Sequence, residues 1–262
     1  MKKFFLGSAI FFTLLGVAGP GRARTQFTIY LPLLMSDYST NTFVFMAFGD
    51  SITSCHNGTD FDLFPNCGYP RQLLQKLKNA YDGHFAYYNQ GVRGETTYGG
   101  LDRIADVLVD PIHHCGAANG CLYPTDTPDP TDDLVLIMEG TNDHNMHYPF
   151  EDIDANLREM VTIAHLHGKK VIIATNPPAL DDAERAQRIT DFRPWILQIA
   201  ADFQIPVADV YQRFVNYPDW ETALMDSDGL HPNDRGFEVL ADVFYGVMSS
   251  QMSGAGRYLS DF

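Results

Sequence analysis

Long uninterrupted hydrophobic runs are scarce in the sequence. Near the N-terminus, Lys2 and Lys3 are followed by an apolar run over residues 4–18 that is broken by small and polar residues. This run is shorter than the roughly 20 apolar residues of a spanning helix, and small residues typical of a cleavage site follow it up to Ala23. We therefore predict a signal peptide over residues 1–23. No later run could span a bilayer, so we expect a secreted or extracytoplasmic protein without stable membrane insertion after cleavage.

Basic residues are also scarce. The chain has 18 Lys and Arg against 33 Asp and Glu, which gives a formal net charge of -15, and signal cleavage would remove three more positive charges. A strongly negative surface repels nucleic acid and anionic membranes at long range. We therefore expect no nucleic-acid partner, and we expect a neutral or cationic substrate, although the charge also keeps an exported protein soluble.

Repeats and biased segments are missing as well. Hydrophobic residues make up 45% of the 262 residues and charged residues 19%, which is ordinary for a globular protein. This composition argues against a collagen, a coiled coil or bulk disorder, and the length suits one sizeable core. We expect residues 24–42 to lead into a single domain over residues 43–262.

Cysteines are few and even in number. They are Cys55, Cys67, Cys115 and Cys121. In an exported protein such a set predicts disulfides, and the local pairs Cys55–Cys67 and Cys115–Cys121 need only short loops, although the other two pairings stay open. A metal site at His113, His114 and Cys115 is the alternative, but its spacing matches no zinc pattern.

Apolar runs alternate with amphipathic stretches through the rest of the chain. The runs predict strands over residues 43–48, 85–88, 134–138, 171–174 and 205–210. The amphipathic stretches predict helices near residues 70–77, 101–108, 150–167 and 182–201 and after Pro232. This alternation predicts a parallel five-stranded sheet covered on both faces, with functional residues in the loops at the carboxyl ends of the strands.

Four polar blocks fall in such loops. They are Gly49-Asp50-Ser51 after the first strand, residues 89–96 after the second, Gly140-Thr141-Asn142-Asp143 after the third, and Asp228-Gly229-Leu230-His231 before the last helix. Each block alone is typical of a turn or a helix cap. Together, and in this order, they indicate a site for nucleophilic catalysis.

These blocks resemble those of the SGNH hydrolases, also called GDSL esterases and lipases, and the resemblance extends from about Phe43 to the final helix. It implies a flavodoxin-like three-layer α/β/α sandwich, in agreement with the pattern of strands and helices. It implies that Ser51 is the nucleophile, that His231 is its base and that Asp228 orients His231. The oxyanion hole would combine the backbone N–H groups of Ser51 and Gly94 with the side-chain amide of Asn142.

The neighbours of these residues have simpler interpretations. We expect Gly91, which fits the family spacing less well as an oxyanion donor, to allow a close backbone approach. Asp50 and Asp143 are expected to cap local turns. His144 and His147 are expected to be exposed loop residues.

The resemblance predicts a serine esterase, the signal-like N-terminus predicts that it is secreted, and the export signal and negative charge favour short-chain acyl esters or carbohydrate acetyl esters as substrates. A lysophospholipase, a lipase or an acyltransferase with the same triad is an alternative, as is a non-catalytic extracellular binding module on this fold. A flavin-binding protein is disfavoured because the first loop lacks the donors that a phosphate needs. We predict no cofactor and no metal, although the acidic segment 126–133 leaves a calcium site open.

Overall fold

In a computed structural model of the protein, residues 42–63, 66–110 and 134–254 are described. The strands are β1 (Thr42–Gly49), β2 (His84–Gly91), β3 (Leu134–Met138), β4 (Lys170–Ala174) and β5 (Val207–Ala208). The helices are α1 (Gly68–Ala80), α2 (Thr97–Val109), α3 (Thr141–Asn145), α4 (Phe150–Leu166), α5 (Ala183–Phe203), α6 (Val210–Val215), α7 (Trp220–Ala223) and α8 (Asp234–Gly254), with a short 3₁₀ helix at Phe61–Leu63. The predicted signal peptide, the segment leading into the domain, the Cys115–Cys121 pair and the acidic segment lie outside the described residues.

The five strands form one sheet in the order β2-β1-β3-β4-β5, and every neighbouring pair is parallel. This confirms the predicted parallel five-stranded sheet, and its order is that of flavodoxin-like folds. Gly49 at the carboxyl end of β1 is in register with Gly91 of β2 and with Met138 of β3. Strands β1, β2 and β3 therefore end side by side, which brings the polar blocks that follow them to one edge.

The sheet is covered on both faces, as the apolar strands predict. Alternate residues of β1 point to opposite sides: Phe45 packs in a core with α1 and α8, whereas Met46 packs in a second core with α2, α4 and α5. The two cores give the three layers of an α/β/α sandwich, because period-two alternation in a strand sends successive side chains to opposite faces.

One local prediction differs from the structure. The fifth strand ends before the predicted residue 210, because Asp209 accepts a hydrogen bond from the Gln212 N–H at 3.3 Å and serves as the N-cap of α6. The predicted helix near residues 182–201 is present as α5, which contains Pro194 without a break. Pro194 has no N–H to donate to the Thr190 carbonyl. Both residues are exposed, so water can donate to this carbonyl instead.

Among the residues that the structure describes, no helix combines the length and the apolar character needed to cross a membrane.

Candidate active site

Ser51 lies in a tight turn that follows β1. A side chain at Gly49 would come within 2.3 Å of Thr53 Oγ1, so only glycine fits where the turn begins. Asp50 Oδ1 accepts the Ile52 N–H at 2.9 Å, which closes the turn. Asp50 therefore caps this turn as predicted, and Ser51 is held at the carboxyl edge of the sheet with 7% of its surface exposed.

Three of the predicted residues meet across this edge. His231 Nε2 lies 2.9 Å from Ser51 Oγ, although the two residues are 180 positions apart. His231 Nδ1 lies 2.6 Å from Asp228 Oδ2. A serine hydroxyl becomes a nucleophile when an imidazole within hydrogen-bond reach can accept its proton and a third group orients that imidazole.

Asp228 is held as a carboxylate. Its Oδ1 accepts the backbone N–H groups of Leu230 and His231, each at 2.9 Å. Burial alone would raise the pKa of Asp228, but hydrogen bonds from His231 and Leu230 outweigh burial and lower that pKa to about 2. An ionised Asp228 accepts a hydrogen bond from His231 Nδ1–H and keeps the proton on Nδ1, which leaves Nε2 with a lone pair toward Ser51.

Asn57 is a contact of this group that the sequence did not predict. Its Nδ2 donates to Asp228 Oδ2 at 2.7 Å, the same oxygen that accepts from His231. Asn57 has a φ of +66°, and the Asn57-Gly58 pair is itself a turn signal. That signal indicates the turn and gives no information about a partner 171 positions away.

The loop that carries Asn57 is closed by a disulfide. Cys55 and Cys67 are joined, with a Cα–Cα distance of 6.0 Å, which confirms this predicted local pair. Thr59 donates from its N–H and its hydroxyl to Asp234 at the start of α8, at 2.9 and 2.7 Å. The loop therefore ties the turn of Ser51 to the segment that carries His231. Asp60 lies near both sulfurs, but sulfurs bonded to each other are not thiolate ligands.

Opening this bridge is expected to lower thermal stability. It closes a segment of 12 residues, so its loss in a Cys55→Ala/Cys67→Ala variant should reduce the free energy of unfolding by about 2–3 kcal/mol. That corresponds to a fall in Tm of about 4–12 °C for a domain of this size, measurable by calorimetry. An unchanged Tm would contradict this account, and non-reducing peptide mapping would test the predicted Cys115–Cys121 pair.

The predicted oxyanion donors lie in the neighbouring loops. Asn142 is in the first turn of α3, and its Nδ2 donates to the Glu95 carbonyl at 2.7 Å. The backbone N–H groups of Ser51 and Gly94 donate to no other group among the described residues. A side chain at Gly91 would come within 2.2 Å of the Ser54 N atom, which is the close backbone approach expected of Gly91.

Two neighbours differ from the expectation. Asp143 caps a distant helix rather than a local turn, because its carboxylate accepts the N–H and the hydroxyl of Thr97 at the start of α2 at 2.9 and 2.5 Å. His144 is buried, with 1% of its surface exposed, and packs edge-on against Phe150 and Phe192. Burial, aided by nearby arginines, lowers the pKa of His144 to about 3. His147 is exposed as predicted.

Comparisons with known proteins give the family and the fold. The model of the GDSL-like lipase/acylhydrolase family matches residues 47–239. A sequence comparison with curated proteins gives no significant match. The crystal structure of the lipase/acylhydrolase from Enterococcus faecalis is 25% identical in sequence, with a TM-score of 0.63 over 80% of this chain and 96% of that chain.

Two further solved structures share the fold. An acetylxylan esterase from Geobacillus stearothermophilus is 20% identical, with a TM-score of 0.62 over 80% of this chain and 94% of that chain. A psychrotrophic esterase from Pseudoalteromonas sp. is 19% identical, with a TM-score of 0.57 over 80% of this chain and 98% of that chain.

The fold and the family match define the class of this protein, which is that of the carboxylic ester hydrolases. The chain belongs to the GDSL-like lipase/acylhydrolase family, whose model covers most of its length. The resemblance inferred from the four polar blocks is thereby confirmed.

Proposed function

We propose that the protein is an exported serine esterase that hydrolyses short-chain acyl esters or carbohydrate acetyl esters through an acyl-enzyme on Ser51. The observation that carries the proposal is the chain of contacts from Ser51 Oγ to His231 Nε2 at 2.9 Å and from His231 Nδ1 to Asp228 Oδ2 at 2.6 Å. Nucleophile, base and orienting carboxylate stand in hydrogen-bond reach in the order that acyl transfer needs.

In the first half of the reaction, Ser51 Oγ attacks the ester carbonyl carbon as His231 Nε2 takes the hydroxyl proton. Asp228, ionised because its pKa is about 2, stabilises the imidazolium that forms. The tetrahedral intermediate then expels the alcohol, which receives the proton from His231. Ser51 is left as an acyl ester.

In the second half, water attacks the acyl carbon and gives a proton to the same Nε2. The second tetrahedral intermediate releases the acid, and the proton returns to Ser51 Oγ. Both intermediates carry a negative oxygen, for which the N–H groups of Ser51 and Gly94 and the Asn142 amide are the proposed donors.

A fluorophosphonate probe tests whether this serine is activated. It should label the exported protein, and peptide mapping should find the label on Ser51, because only a serine with a working base reacts rapidly. Labelling at another residue would reject the assignment. No labelling of a folded protein would favour the non-catalytic binding module.

Export is proposed on two features: the signal-like N-terminus and the Cys55–Cys67 disulfide. Disulfides persist in oxidising compartments. Sequencing the N-terminus of protein recovered from the medium or periplasm tests the predicted loss of residues 1–23.

A longer acyl chain is the second candidate, and two exposed apolar side chains favour it. Met146, whose N–H donates to the Asn142 carbonyl, is 56% exposed, and Leu180, whose N–H donates to the Gly229 carbonyl, is 45% exposed. Both therefore stand near the proposed site. A series of p-nitrophenyl esters, run beside acetylated xylan, separates the two: highest kcat/KM at two to four carbons supports the first proposal, and a maximum at long chains supports a lipase.

Replacing Asn142 by alanine tests the oxyanion hole. Asn142→Ala should lower kcat by about 10²–10³ with little change in KM, because the lost donor acts on the charge of the transition state. The matched control is Asn145→Ala, an exposed amide one turn later in α3. A change confined to KM would mean that Asn142 only binds the substrate.

A further inference from the structure

Arg103 is a partly buried arginine on α2 that the proposed reaction does not use. Its guanidinium lies over the Phe48 ring, 4.0 Å from the centroid. Its Nη2 donates to the Gln90 carbonyl at 2.7 Å. Phe48 and Gln90 are the penultimate residues of β1 and β2, so Arg103 lies behind the strand ends from which the loops of Ser51 and Gly94 emerge.

Arg103 holds Glu95 with two parallel hydrogen bonds. Its Nε donates to Glu95 Oε1 at 2.7 Å and its Nη2 to Glu95 Oε2 at 2.5 Å. Glu95 is buried, with 9% of its surface exposed. A planar guanidinium that meets a carboxylate through two bonds fixes orientation as well as distance, which a lysine ammonium cannot do.

Glu95 in turn holds the amide of Asn142. The Glu95 carbonyl accepts from Asn142 Nδ2 at 2.7 Å. A carboxamide nitrogen carries two N–H groups. One N–H of Asn142 Nδ2 donates to the Glu95 carbonyl. Because the amide is planar, the direction of this bond fixes the direction of the second N–H, which would donate to an oxyanion.

We propose that Arg103 is a positioning residue of the oxyanion site: through its fork on Glu95 it sets where the Glu95 carbonyl holds the Asn142 amide. This proposal rests on the proposed function, because it gives Arg103 a part in stabilising the same intermediate. Arg103 does not touch the substrate and acts through Glu95.

The charges around Glu95 explain why a positive charge is needed there. Glu139 is buried, with 1% of its surface exposed. Burial raises the pKa of Glu139, the charges of Asp50 and Glu95 raise it further, and Arg103 opposes them. Arg103 thus supplies positive charge to a group of buried carboxyls behind the oxyanion site. Without the fork, Glu95 would be free to turn away from its acidic neighbours and carry its carbonyl with it.

Arg103→Lys tests the fork, since it keeps the charge and removes the paired geometry. We expect kcat to fall about 10–100-fold, because displacements near 1 Å in a catalytic group have effects of that size, while KM changes less than about twofold. Rates are counted per serine titrated with the fluorophosphonate, so unfolded protein does not contribute. Glu95→Gln, which preserves the backbone carbonyl and removes the carboxylate, should lower kcat in the same direction.

Arg158→Lys is the matched control. Arg158 pairs with Asp154 through Nε at 2.7 Å and with Asp202 through Nη1 at 2.9 Å. Asp202 lies near the carboxyl end of α5, which leads into the start of β5. The strands begin at this edge of the sheet, and Ser51 lies at the opposite edge. This variant loses similar ion-pair geometry and should keep its kcat.

A double-mutant cycle separates positioning from general damage. If Arg103 acts through Asn142, then Arg103→Lys should change kcat by less than about threefold in an Asn142→Ala background, because coupled residues are not additive. An equal loss in both backgrounds overturns the proposal. The proposal is also overturned if Arg103→Lys keeps full kcat while Asn142→Ala is impaired. That result would leave the proposed function standing. Full kcat in Asn142→Ala would overturn both the oxyanion assignment and the role of Arg103.

Discussion

Ser51→Ala is expected to lower kcat/KM for ester hydrolysis by on the order of 10⁴–10⁶. The substitution removes the oxygen that forms the acyl-enzyme and leaves His231 with no hydroxyl at 2.9 Å to deprotonate. Ser51 lies at the rim of the core, so loss of its hydroxyl should leave the fold intact. Hydrolysis of p-nitrophenyl acetate measures the effect, and circular dichroism checks the fold.

Ser54→Ala is the control for this substitution, because it removes a hydroxyl from the same turn. Ser54 Oγ donates to the Ser51 carbonyl at 3.0 Å. One such hydrogen bond contributes about 0.5–1.5 kcal/mol, so this variant should stay within about tenfold of the parent. A folded Ser51→Ala variant with the activity of the Ser54→Ala control would reject Ser51 as the nucleophile.

The sheet could be predicted from the sequence because its strands are buried on both faces. A run such as Phe43-Val44-Phe45-Met46 has no polar position that a one-sided strand would show. The alternation with helices then requires parallel pairing, which brings the strand ends to one edge. Residues that follow those ends, such as Ser51 and Asn142, could therefore be assigned to one site before their distances were known.

The supporting contacts could not be predicted, because they join residues whose sequence neighbourhoods contain no sign of each other. Asn57 and Asp228 are 171 positions apart, and the Asn-Gly turn signal explains Asn57 without its partner. His144 follows a helix-capping motif and is expected to be exposed, yet the aromatic residues of α4 and α5 cover it. Burial of this kind depends on tertiary packing.

Arg103 is an intermediate case, because one signal was present. It lies three residues after Gly100 and four before Val107, both of which are buried. This spacing places Arg103 on the covered side of α2, where a charged residue requires a partner. The periodicity thus indicates a buried ion pair but does not identify Glu95 as the other half.

The second large effect is expected for Asp228→Asn, which preserves shape and removes charge. In the parent, the N–H groups of Leu230 and His231 each donate to Asp228 Oδ1 at 2.9 Å. The amide oxygen of the variant can accept the same two bonds, so the turn should persist. The amide nitrogen then replaces Oδ2, which in the parent accepts from His231 at 2.6 Å and from Asn57 at 2.7 Å. The new amide N–H group would therefore face two other donors, His231 Nδ1–H and Asn57 Nδ2.

His231 can relieve this conflict by moving its proton from Nδ1 to Nε2. The amide of residue 228 then donates to Nδ1, and Nε2–H points at Ser51 Oγ. Nε2 therefore has no lone pair left to accept the hydroxyl proton. We expect kcat to fall about 10⁴-fold, the size seen when a triad loses its tautomer control, with KM little changed. Asp226→Asn, the same change on the same loop, should retain most of the activity. If Asp228→Asn loses no more than Asp226→Asn, Asp228 does not set the tautomer of His231, and the carboxylate serves only to shape the loop.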